Sequence, residues 1–148
     1  MKKLIFNKIV LDEVLERIGC LIPLMPPLWG KMTAAQMLAH VNLSVLSGLG
    51  ARKFKNKNNF FITLVLKPWL LNEKPFMKNA PTHPEFKITG ERNFSEEKNQ
   101  LVRSLQLAQQ RGSDGPWADH PILGRLRGDE WGWYIYKHAD HHLTQFGV

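Results

Sequence analysis

At 148 residues the chain is sized for one domain, residues 1–148, and its 43% hydrophobic and 22% charged content suits a globular protein that buries a core without disulfides. The single cysteine, Cys20, excludes an internal disulfide and fits a reducing, cytoplasmic setting; it reads as a small buried apolar residue. The net charge is +7, and residues 51–92 carry nine Lys/Arg against three Glu, which reads as a solvated surface or a pocket rim for anions and not as a nucleic-acid interface.

The opening Met-Lys-Lys-Leu-Ile-Phe looks like a secretion signal only briefly, because Asn7, Lys8, Asp12, Glu13, Glu16 and Arg17 interrupt any apolar core. Residues 8–21 predict a first helix, with Ile9, Val10, Val14, Leu15, Ile18 and Leu21 on one stripe and the proline cluster of residues 23–27 ending it. A second helix starts from Thr33 as N-cap, with Gln36 placed to close a capping box, and ends near Leu49 between Gly48 and Gly50. A long insert, residues 51–94, follows. Within it, residues 60–71 are apolar and predict a shorter helix, although Phe, Ile, Thr and Val there also suit a strand. That run is too short to span a bilayer, and no membrane partner is expected. Residues 72–90, with Pro75, Pro81 and Pro84, read as irregular. A third main helix is predicted after Ser95, with Glu96 and Glu97 in its first turn, ending at Gly112; a fourth runs from Gly128 to Phe146. Strand-like alternation recurs nowhere, so the fold class is all-α: a four-helix bundle with a long crossover between the second and third main helices.

The chemistry concentrates in the histidines. His138 and His142 are four apart, so on a helix both imidazoles share one face with Cβ atoms about 5–6 Å apart. Their stripe also holds Trp131, Tyr134, Ile135 and Gln145, with His141 at its edge. His40 is the best third ligand, on a stripe of the second helix with Thr33, Gln36, Met37, Ser44 and Ser47. Three neutral imidazoles with an open position describe a reactive metal site, not a closed structural one. Imidazole-only ligation suits zinc, nickel, copper or iron(II) without choosing among them. Such an ion acidifies a bound water or thiol. Gln145 is then a candidate to orient a bound water or substrate, and His141 is the nearby group able to shuttle a proton near neutral pH. His120 precedes the fourth helix and is expected at the pocket mouth. Trp133, Tyr136 and Leu143 lie opposite the histidines, so that face needs a cover, either the crossover or a second subunit in a homodimer.

Several stretches resemble the DinB/YfiT-like superfamily of metal-dependent proteins, within it a branch of uncharacterised bacterial domains ending in Gln-Phe-Gly-Val. They are Trp29-Gly-Lys-Met-Thr-Ala-Ala-Gln-Met-Leu-Ala-His40, Ala80-Pro-Thr82, His120-Pro-Ile-Leu-Gly124, Glu130-Trp-Gly132 and Lys137-His-Ala-Asp-His-His-Leu-Thr-Gln-Phe-Gly-Val148. The resemblance implies a four-helix bundle with a long second-to-third connection, a divalent metal (zinc, nickel or iron), and a ligand triad of His40, His138 and His142. It also implies a small-molecule substrate and a thiol-dependent S-transferase or related metal-assisted activity, using a low-molecular-weight thiol. The alternative is a non-catalytic metal- or ligand-binding module of the stress response. Arg127 stands where similar chains carry a capping Thr, which predicts an unusual start to the last helix. Leu123 stands where an aromatic is usual, which predicts a more open pocket mouth.

Overall fold

A computed structural model describes residues 2–55 and 60–148. Five helices carry the described residues: α1 (Lys8–Cys20), α2 (Ala34–Leu49), α3 (Phe60–Leu71), α4 (Phe94–Arg111) and α5 (Gly128–Gln145). A 3-10 turn, Pro84–Phe86, lies between α3 and α4, and no strand occurs among the described residues. None of these helices is long and apolar enough to cross a membrane.

In α1 the Asn7 side chain caps the start by accepting the Ile9 N–H, and Leu11, Val14 and Ile18 face the core. The stripe is narrower than the sequence suggests, for Ile9 points outward at 78% exposure. Cys20 is exposed, not buried. It lies two residues past Ile18, which on a helix is nearly the opposite face. In α2 the expected capping box forms: Thr33 Oγ1 accepts the Gln36 N–H, and Gln36 Oε1 accepts the Thr33 N–H. The helix stops at Gly50, whose φ of 71° is left-handed and so favours glycine.

α2 is buried along most of its length and packs against α4 and α5, while α1 packs against the same two helices and α3 against α5. α4 begins two residues earlier than the reading after Ser95, because Asn93 is the cap and accepts the Glu96 N–H. Residues 60–71 form a helix rather than a strand, and residues 72–90 are irregular apart from the 3-10 turn.

α5 starts at Gly128 despite Arg127. A guanidinium has no acceptor to offer the first turn. Glu130 supplies the cap instead by accepting the Arg127 N–H at 2.8 Å, while the Arg127 side chain pairs with Asp129 at 3.0 Å. Gly132 lets the N-terminal segment approach, since a Cβ there would lie 2.6 Å from the Phe6 ring. Trp133, Tyr136 and Leu143 are all buried, and the same chain covers them. Trp133 donates to the Leu71 carbonyl at 3.0 Å, Lys137 donates to the carbonyls of Leu70 and Asn72, and Lys3 sits over the Tyr136 ring.

Candidate metal centre

The pairing of α2 with α5 brings His40 against His138 and His142. Ring centroids are 4.9 Å apart for His40–His138, 4.8 Å for His40–His142 and 4.8 Å for His138–His142. All three residues are buried, and one nitrogen from each lies within 4.8 Å of the others, so the cluster could hold a metal ion. The Nε2 atoms of His40 and His138 are 3.1 Å apart. Two nitrogens sharing one tetrahedral zinc would be about 3.3 Å apart.

The opposite edge of each ring is held by the protein. His40 Nδ1 lies 2.8 Å from the Phe86 carbonyl, which can only accept, so Nδ1 carries the proton and Nε2 a lone pair. His142 Nδ1 lies 2.7 Å from Gln145 Oε1, and that amide is oriented by its other end, Nε2 donating to the Trp29 carbonyl at 2.7 Å. His142 Nε2 is therefore also a lone pair. His138 Nδ1 faces Ser44 Oγ at 2.8 Å, and Ser44 can in turn donate to the Val41 carbonyl at 2.8 Å. With that proton given to Val41, Ser44 accepts from His138, and all three Nε2 atoms offer lone pairs.

Burial favours the neutral rings. It is the largest cause lowering His40, it drives His138 well below the ordinary histidine value with help from the neighbouring imidazoles, and it pushes His142 down to about 3. Neutral imidazole is the form that binds a metal.

The other predicted residues take different places. His141 is half-buried, T-shaped against Trp29 and Phe76 at 5.7 Å each, with its ring 5.0 Å from His142. Burial lowers its pKa while Asp140 raises it. Gln145 is engaged at both ends of its amide, so it positions His142 and is not free to orient a ligand. His120 is fully buried rather than set at a mouth. Its Nδ1 accepts the N–H groups of Ile122 and Leu123, bracing the loop before α5, and burial pushes it down to about 3. Leu123 is buried too and opens no mouth. Ser47 donates to the Ser44 carbonyl and does not reach the rings. Two surface cavities, of about 460 and 310 Å³, are lined by none of the three histidines.

Sequence reasoning did not anticipate the Phe86 carbonyl or the Trp29 carbonyl. Both come from irregular segments whose backbone direction has no side-chain pattern to betray it. Ser44 was visible on the His40 stripe, though as a small residue leaving space rather than as the partner of His138.

The family described as a protein of unknown function, DUF1569, matches residues 3–147. The chain belongs to that family. No curated protein and no solved structure matches it. Family membership therefore accounts for nearly the whole chain and assigns no activity, so the chemistry rests on the histidine cluster.

Proposed function

We propose that this DUF1569 chain is a DinB-like four-helix bundle, formed by α1, α2, α4 and α5 with α3 in the crossover, that holds one divalent metal ion through His40, His138 and His142. The observation that carries this reading is the set of acceptors behind the rings. Phe86, Ser44 and Gln145 each stand as acceptor to an Nδ1–H, the tautomer that leaves the Nε2 lone pairs to a cluster whose ligand atoms lie within 4.8 Å of one another. Buried unprotonated nitrogens facing each other at hydrogen-bond distance are costly unless a proton or a cation lies between them. Zinc, nickel and iron(II) all suit the donor set.

The activity this site supports best is thiol-dependent transfer, or a related metal-assisted reaction, on a small electrophile. When bound, the metal supplies Lewis acidity and lowers the pKa of a thiol or water toward neutrality. The chain's own residues set the surroundings. Trp29 and Phe76 pack about His141 and limit water access from that side. Lys78, whose ammonium lies 4.4 Å from the Trp29 ring centre, supplies positive charge suited to the carboxylates of a small thiol. His141 is the nearest titratable side chain outside the three ligands able to pass a proton.

Metal analysis of protein purified without an affinity tag tests the site, with one ion per chain expected. A screen of small thiols against electrophiles tests the activity, with turnover expected to require the metal and to vanish in His142→Ala. A fully metallated protein inert toward every pair would favour the alternative, a non-catalytic metal-binding module.

A further inference from the structure

His120 Nε2 is buried and has no hydrogen-bond partner among the described residues. The residue is 2% exposed. Its other ring nitrogen, Nδ1, accepts the N–H groups of Ile122 and Leu123 at 3.1 Å each, so the proton sits on Nε2. Two backbone bonds between His120 and Gly124, of 2.8 and 2.9 Å, fix the residue that carries the ring. The outcome is a rigid, buried donor with no acceptor, which costs free energy unless something fills the gap.

Bracing the loop does not require a histidine. Accepting N–H groups two or three residues further on is ordinary work for an Asp or Asn side chain. Histidine adds a second nitrogen, turned away from its own loop. Its surroundings belong to the metal centre. The His120 ring lies 5.0 Å from that of Tyr134, at 87°, and 6.4 Å from that of Phe86, at 10°. Tyr134 in turn stacks on His138 at 5.7 Å, and the Phe86 carbonyl holds His40. His120 is also among the imidazoles whose closeness holds His138 below the ordinary histidine value.

We propose that His120 Nε2–H donates to a carboxylate oxygen of the small electrophile taken up beside His40, His138 and His142. The assignment rests on the metal reading and adds a ligand class to it. A cluster of three imidazoles brings no negative charge to a divalent ion, and an anionic oxygen supplies it. The same group gives the N–H its missing acceptor. The rings packed around His120, those of Phe86, Trp131 and Tyr134, contain no carboxylate to stand in for it.

Acetate titrated into the full chain loaded with cobalt(II) or zinc tests the proposal. The visible spectrum of the cobalt protein reads acetate binding, and the His120 Nε2–H proton resonance of the zinc protein reads the donor. Acetate should alter the first and move the second downfield. His120→Asn keeps an acceptor for the loop and removes the donor. It should take up cobalt and bind acetate at least about tenfold more weakly than the wild type. Equal acetate affinity in the two proteins, or no acetate binding in the wild type, overturns the proposal and leaves the metal reading standing. A wild type that takes up no cobalt removes both. An Nε2 proton held upfield by the Tyr134 ring and unmoved by acetate assigns the donor to that ring and also overturns the proposal. That measurement needs no variant, so it decides the matter even if His120→Asn does not fold.

Discussion

His40 Nε2 and His138 Nε2 face each other across 3.1 Å, on helices whose residues are 98 apart in sequence. Each ring is held from behind by a different partner, the Phe86 carbonyl for one and the Ser44 hydroxyl for the other. The contact is therefore set by two independent supports, and the consequences for metal binding can be measured separately.

His138→Ala should remove stoichiometric metal uptake while the helices persist, because the core of Ile5, Leu38, Leu101, Leu105, Trp131 and Ile135 does not depend on the site. Metal content after dialysis against a slight excess of zinc, alongside far-ultraviolet circular dichroism, checks both halves. A variant that still takes up one ion per chain would remove His138 from the ligand set.

Ser44→Ala should keep all three ligands and still weaken metal binding by about 10–100-fold, the usual cost of losing a ligand's supporting hydrogen bond. Gln145→Leu should do the same through His142. Competition with a chromophoric chelator reads the change. Wild-type affinity in both variants would show that the rings need no support.

Because burial lowers the pKa of all three histidines from the ordinary value, loading at pH 7 should release almost no protons from them. Titration calorimetry in two buffers of different ionisation enthalpy should report at most the one proton that a metal-bound water can lose. Release of two or more protons per ion would mean that the metal-free rings are protonated.

Acid should destabilise the metal-free protein. The unfolded chain's histidines take up protons near pH 6.5, whereas folded His120 and His142 resist until about 3. Between those values the unfolded state binds more protons, so stability is full above about pH 6.5 and falls as pH drops. Two such groups give a slope approaching about 2.7 kcal/mol per pH unit within the window. Urea midpoints from pH 7 to pH 4 measure it, and a flat profile would contradict burial of the neutral rings.

Gly132→Ala places a methyl 2.6 Å from the Phe6 ring, and Ile5 N is bonded to the Gly132 carbonyl at 3.2 Å. The ring cannot withdraw without loosening that bond. A loss of about 1–3 kcal/mol is expected, read as a lowered urea midpoint.

The helices were legible in the sequence because caps and stripes are local. Thr33 with Gln36, and the glycines near residue 50, act within a turn of where they stand. The His-x-x-x-His spacing likewise put His138 and His142 on one face before any tertiary contact was known. The errors were of a different kind. Cys20 and Ile9 were placed inside from residue type, although the angle from Ile18 and Leu11 turns them outward. Gln145 looked free because the Trp29 carbonyl that claims its amide belongs to a loop 116 residues away in sequence. Long-range backbone partners of this sort leave no periodic trace.

Lys137 adjoins His138 on α5, about 100° round the helix, and its ammonium is gripped by the carbonyls of Leu70 and Asn72 and lies over the Phe76 ring. A helix advances about 1.5 Å per residue, so a slide of α5 by half a residue would carry both of its imidazoles about 0.75 Å past His40. The alignment of the histidines is thus policed from a neighbouring face of the helix, by a clamp outside the ligand set. Lys137→Met would keep every ring and lose the register, a defect that shows as heterogeneous metal spectra rather than as missing metal.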